Sequence, residues 1–366
     1  MSTTTADFTP LVDTARRHVD EGTVPACQLA VARDGEVVLF EALGEATTNT
    51  RFCIFSATKP IVSAAVWLLI GDGLLDISAP VADYVPEFAG HGMERVTVEH
   101  VLLHTAGFPL APMAHIEGAD PARRRARFAT WRLDWEPGSR FAYHFESAHW
   151  VLSDLLERLS GQDFRQFIER RLTDPLGLPR VLGVPVDQQA DIAPLVPTDG
   201  DDGPTDAARG GEFSGDWREL LLFAEPEGVA AGAPGGGAVM TAAELAIFYQ
   251  GLLRNPGELW PPDVLVDGTS NIRCRLPDEI FGVAVNRTIG LVVAGDDGQH
   301  VVRYGSFGQA NSPRAFGHAG GLGQIGWADP APGISFAYAQ SGVGPHLVAA
   351  GSRAYELSTH AAALFA

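Results

Sequence analysis

Lysine is almost missing from this chain. Its 366 residues hold 26 Lys and Arg together, and only one of them, Lys59, is lysine. Positive charge as a whole is scarce against 45 Asp and Glu, which leaves a formal net charge of −19. A chain this acidic lacks the basic patch needed to hold nucleic-acid phosphates or an anionic membrane face, so neither partner is expected. The one basic run, Arg123-Arg124-Arg125-Ala126-Arg127, is short and reads as a solvated helix face. Cysteine is scarce too. Cys27, Cys53 and Cys274 are odd in number and far apart, which excludes a disulfide framework or a CxxC pair and fits a reducing compartment. The longest apolar run, residues 61 to 70, is too short to span a bilayer. The opening MSTTTADFTP has neither the basic nor the apolar stretch of a signal peptide, so a cytoplasmic location is expected.

What is present describes an ordinary globular chain. An apolar fraction of 46% and a charged fraction of 19% supply enough material for a large core. The length exceeds the roughly 250–300 residues at which one core stops growing, so two lobes are expected. Phe8, Leu11, Ala15 and Val19 recur at helical spacing. Residues 28–33 and 36–40 read as strands joined by an Asp34-Gly35 hairpin turn. Residues 58–71 are helical and apolar all round, which marks a buried helix. Further helices are expected to about residue 178 and over 241–253. Residues 281–341 alternate β-rich runs with Gly turns, and 347–365 reads as a closing helix. The order predicts an α/β lobe from residues 1–55 and 235–366, with a mainly helical lobe, 56–234, inserted. Residues 183–216, rich in Asp, Gly and Pro, read as a long loop, either a lid or a plain surface insertion.

The lone lysine stands in Phe55-Ser56-Ala57-Thr58-Lys59-Pro60, at the start of the buried helix. Residues i and i+3 share a helix face, so the Ser56 hydroxyl and the Lys59 amine can meet. A helix N-terminus favours a developing oxyanion. Lysine gives up its proton when desolvated, whereas arginine, with a pKa of roughly 12.5 or more, does not. A serine nucleophile with a lysine base is therefore chemically coherent. The competing reading makes Ser56 a helix cap and Lys59 a surface charge.

Other segments decide between them. Ser56-Ala-Thr-Lys59 resembles the S-x-x-K motif of the serine β-lactamase and penicillin-binding-protein superfamily, in particular class C β-lactamases and family VIII carboxylesterases. Residues 73–88, the segment Val98-Glu-His-Val-Leu-Leu-His-Thr-Ala-Gly107 and the glycine turn from Pro234 into the helix after Thr241 resemble that family's usual continuation. The resemblance runs from about residue 10 to the C-terminus. It implies a β-lactamase/transpeptidase-like fold, an antiparallel sheet flanked by N- and C-terminal helices with an all-α lobe inserted. It also implies that Tyr143, in Tyr143-His144-Phe145, takes the place of the family's Y-x-N tyrosine and shares the general-base work with Lys59. Phe145 departs from the pattern, since lactamases carry an amide there; an apolar ring favours esters over β-lactams. Phe316-Gly-His318-Ala-Gly320-Gly321 resembles the K-T-G strand in an H-x-G variant. His318, tunable near neutral pH, would bond Tyr143 or a substrate carbonyl. Gly320 would let the substrate approach the strand closely. The N–H groups of Ser56 and Gly321 would form the oxyanion hole.

The expectation is thus a serine hydrolase of small carboxylic esters working through an acyl-enzyme at Ser56, with no metal and no organic cofactor. On the same fold an acyltransferase, a β-lactamase or a D-amino-acid peptidase is the alternative, and a non-catalytic binding protein stands further off. Oligomeric state is not legible. His100 and His104, at i and i+4, suggest a metal pair, but no third ligand is evident and a packing or loop-anchoring role is expected. Pro234-Gly-Gly-Gly237 lacks the Lys-Ser or Lys-Thr of a phosphate loop. Cys53 reads as a small core residue.

Overall fold

The computed structural model describes residues 6–198, 217–303, 306–344 and 347–365. Its frame is a six-stranded, wholly antiparallel sheet. The strands are β1 (Ala26–Arg33), β2 (Glu36–Gly44), β3 (Val292–Val293), β4 (Phe316–Ala319), β5 (Ile325–Asp329) and β6 (Ile334–Gln340). They lie in the order β2-β1-β6-β5-β4-β3, so β1, near the start of the chain, pairs with β6, near its end. The β1–β2 hairpin closes over Asp34 and Gly35, with φ of 54° and 85°, the left-handed pair that a tight two-residue turn requires.

Side chains alternate across β1 with the two-residue period of a strand. Leu29 and Val31 face the layer made by α1 (Thr9–Asp20) and the C-terminal helix. Ala30 and Ala32 face the opposite way, into the core shared with the helical region. That second face is built from small residues because a helix, Ala242–Arg254, lies directly on it. At Gly326 of β5 a Cβ would collide with the Tyr249 ring of that helix.

The buried helix α2 (Lys59–Gly71) runs through the middle of this second core, and residues 59–69 are all buried. Two indoles pin it: Trp67 Nε1 donates to the Ile289 carbonyl at 2.7 Å, and Trp260 Nε1 donates to the Ala64 carbonyl at 2.8 Å. A second long helix, α3 (Ser147–Ser160), packs beside α2. The C-terminal helix spans Leu347–Ala363 and is labelled α4 here.

Three expectations change. The arginine run is not a solvated face: Arg124 is fully buried and bonds Asp154 at 2.8 Å and also Glu157, while Arg123 remains largely exposed. Two acidic residues that α3 turns toward this helix draw Arg124 in. Among the described residues, 281–315 hold one short strand, β3, and a 3-10 turn, His300–Val302, and isolated bridges such as Cys274–Arg287 and Pro277–Ala284 tie part of this stretch to the residues before it. Of the 183–216 loop, the described part carries a short strand, Val196–Pro197, paired in parallel with Gly342–Val343, and residues 199–216 lie outside the described residues. No helix among the described residues is long and apolar enough to cross a membrane.

Candidate active site

Ser56 sits in a 3-10 turn, Phe55–Thr58, that leads directly into α2. Two contacts with the glycine-turn segment fix this turn: Ile54 N–H donates to the Ala238 carbonyl at 3.0 Å, and Ala238 N–H donates to Thr58 Oγ1 at 3.0 Å. Phe55, the residue before the serine, has φ of 45°. A left-handed phenylalanine costs about 1–2 kcal/mol, and it sets Ser56 in the first part of the turn. The start of such a turn leaves N–H groups without an acceptor inside the helix.

Lys59 begins α2 and is buried with Ser56. Its Nζ donates to Ser56 Oγ at 3.2 Å and to the Gly235 carbonyl at 2.7 Å. Two rings stand over the ammonium, Tyr143 with its centroid 5.0 Å away and Phe145 at 5.3 Å. Ser56, Lys59, Tyr143 and Phe145 are thus gathered in one place from two distant stretches of chain. The Tyr143 ring is stacked on His104, with centroids 4.8 Å apart and planes within 12°. His104 is held in turn by its Nδ1, which accepts from His144 N–H at 2.9 Å. His100 stays apart and accepts from Thr97 N–H, closing the cap of its own helix.

His318 and the glycines complete the wall. His318 lies on β4, fully buried, 6.0 Å from Tyr143 between ring centroids. Its Nδ1 stands 2.6 Å from the Ala319 carbonyl and its Nε2 3.4 Å from Arg287 Nη2. These partners assign the proton to Nδ1. Burial, with the nearby charges of Arg287 and Lys59, holds the ring well below the usual histidine range. His318 is therefore neutral rather than tunable near neutral pH, because burial and two neighbouring cations all disfavour its charged form. Gly320 is required by close approach: a Cβ there would run into the Ile54 carbonyl. Gly321 lies over Phe55, the neighbour of the serine, 3.6 Å from an ideal Cβ to the ring, and starts a 3-10 turn of its own. Its amide and that of Ser56 both belong to turn starts.

Several residues of the site were not singled out by the sequence. Arg287 is buried, with its guanidinium 5.4 Å from the Tyr143 ring centroid and 5.6 Å from that of Phe141. Glu146 comes three residues after Tyr143, and burial pushes its carboxyl up to about 7 against the opposing pull of Lys59. His149, on the first turn of α3, is buried against the backbone of Lys59. An acidic residue so close to an aromatic motif was the only sequence signal for Glu146; nothing local marks Arg287. Cys53 is buried, with Sγ 3.5 Å from the Gly236 carbonyl. Among the described residues no three His, Cys, Asp or Glu side chains converge as a metal site.

A cleft of about 680 Å³ opens beside the site, walled by Pro109, Trp131, Trp135, Phe141, Tyr143 and Ile280, among others. Tyr143 is the part of the site that faces it, while Ser56 lies deeper.

Comparison with known proteins gives one consistent result. A family model described as "Beta-lactamase" matches residues 11–361. The "Esterase/beta-lactamase LipL" of Mycobacterium tuberculosis is 31% identical over 313 residues, which cover 78% of this chain and 67% of that protein. The solved structure of EstA from Arthrobacter nitroguajacolicus superposes with a TM-score of 0.80 over 100% of this chain and 99% of its own, at 23% identity. A family VIII carboxylesterase superposes with a TM-score of 0.78 over 97% of each chain, also at 23% identity. At that identity the two structures speak for the fold.

Proposed function

Because this chain belongs to the beta-lactamase family, we propose that it is a serine hydrolase of small carboxylic esters, with Ser56 as nucleophile and Lys59 with Tyr143 as the base. One observation carries the reading: the only lysine of the chain lies 3.2 Å from Ser56 Oγ, buried, beneath the Tyr143 ring. The name of the relative in Mycobacterium tuberculosis, an esterase/beta-lactamase, supports the same substrate class.

Ser56 Oγ attacks the ester carbonyl carbon, and its proton passes to the Lys59–Tyr143 pair. The carbonyl oxygen, now negative, takes hydrogen bonds from the N–H groups of Ser56 and Gly321. As the tetrahedral intermediate collapses, the C–O bond to the alcohol breaks. The leaving oxygen recovers the proton from Tyr143, which faces the cleft. The acyl-enzyme at Ser56 is then attacked by water, whose proton follows the same route, and the acid is released. The neutral His318 and the Arg287 guanidinium back the Tyr143 ring and orient it. Phe145 stands where β-lactamases carry an amide, which favours esters over β-lactams. Three unpaired cysteines, all buried, support a cytoplasmic location.

Hydrolysis of p-nitrophenyl acetate and butyrate tests the reading. Ser56→Ala is expected to lower kcat/KM by at least about 10³-fold, and undiminished turnover would sink it. Nitrocefin turnover equal to ester turnover would favour a lactamase instead, and ester formation with an added alcohol would favour an acyltransferase.

A further inference from the structure

Glu146 is a carboxylate that the serine mechanism leaves unused. Both its oxygens are buried, and the Trp150 indole is the donor that favours its charged form. They press against Gly235, where an added Cβ would stand 2.7 Å from Oε1. The carbonyl of that same glycine accepts from Lys59 Nζ at 2.7 Å. Carboxylate and ammonium thus approach one residue from two sides. Water is excluded there, so the two charges feel each other strongly.

The other ionisable groups around this place do not compete. Cys53, on the segment leading to Ser56, is pushed up to about 12 by burial and stays a thiol. His149, from α3, and His104 and His318, which also feel the charge of Lys59, are pushed well below their ordinary value, chiefly by burial, and stay neutral. Arg287 adds a fixed cation over the Tyr143 ring. Glu146 is then the anion that answers Lys59.

We propose that Glu146 is a positioning residue that holds the proton on the Lys59–Tyr143 pair and so sets the pH above which the pair acts as a base. This rests on the reading of Ser56, Lys59 and Tyr143 given above. The pair must lose one proton before it can accept the one from Ser56. An anion beside it stabilises the protonated form and makes that loss harder. The effect switches on only once Glu146 ionises, and burial places that ionisation near neutrality rather than in the usual carboxylate range. Glutamine keeps the shape and removes the anion, so in Glu146→Gln the pair should release its proton at lower pH.

The single lysine gives a test that needs no substrate. With [13Cε]lysine the protein carries one labelled side chain, and its NMR titration reports Lys59 directly. In Glu146→Gln the midpoint is expected to fall by about one pH unit or more. The acid limb of kcat/KM for p-nitrophenyl butyrate should move the same way by a like amount. Glu146→Asp, which draws the same charge back by one methylene, should titrate between wild type and Glu146→Gln, and it carries the test if the glutamine variant does not fold. A lysine signal that titrates at the wild-type midpoint in whichever variant folds would overturn the proposal. If hydrolysis proves independent of Ser56, the functional reading fails, while the lysine titration still decides what Glu146 does.

Discussion

In the role proposed for it, Lys59 could not be replaced by any of the chain's other cations. The remaining 25 basic residues are arginines, and an arginine of pKa above roughly 12 cannot take a proton from serine near pH 7. Lys59→Arg keeps the charge and the helix position, yet it should lower kcat/KM for p-nitrophenyl butyrate by about 10²–10⁴-fold, the range of a lost general base. A melting curve close to wild type would show that the fold is kept, and an active Lys59→Arg enzyme would refute the role. At this scale much of the candidate site was legible. Ser56, Lys59 and Tyr143 announce themselves because each is a chemical type fixed at a short spacing. Arg287 and Glu146 do not, since their roles come from burial, and burial depends on segments more than 80 residues away in the chain. His318 was legible as a residue but not as a state: its neutrality follows first from burial and then from Arg287 and Lys59, all of which only the fold supplies.

Elements were readable where local pattern and tertiary environment agree. The β1–β2 hairpin and the apolar α2 are of this kind: turn chemistry specifies the first, and an unbroken apolar surface the second. The helix Pro121–Phe128 is the opposite case. Four arginines in five residues look like a wet surface, because the acids that draw Arg124 inward lie on α3, some 30 positions further on. Arg124 bonds Asp154 and Glu157, and its third contact is the Gly118 carbonyl at 2.8 Å. Removing it takes from buried Glu157 its hydrogen-bonded partner, while Asp154 keeps Arg125 and Arg158. Arg124→Ala should therefore cost about 3–5 kcal/mol in urea denaturation, as expected for breaking a buried pair. Arg123→Ala, at 72% side-chain exposure, should stay within about 0.5 kcal/mol. Equal costs for the two would show that the buried network contributes nothing. Because α3 also carries Glu146 at its N-cap and His149 on its first turn, loosening this network should slacken the site as well.

For the whole molecule, the histidines around the site set its response to acid. His104, His149 and His318 are held well below 6.5 and His144 is lowered to about 4, in each case mainly by burial. The unfolded chain takes up protons at these groups below 6.5 and the folded chain does not. The stability they contribute is therefore present above 6.5 and lost as pH falls toward the folded values. Glu146 works the other way. Its carboxyl titrates near 7 when folded, so acid favours the folded state there. Each group counts for about 1.4 kcal/mol per pH unit at most, so four histidines outweigh one carboxylate. Urea denaturation should show a net loss on the order of 5 kcal/mol between pH 7 and pH 5. His149→Leu separates this from a general effect of acid. His149 meets the Lys59 backbone, so leucine costs stability at both pH values, but it removes one proton acceptor of the unfolded chain and so acts on the difference between them. The gap between the two pH values should then narrow by about 1–2 kcal/mol. A gap as wide as in the wild type would mean that acid unfolds this protein by another route.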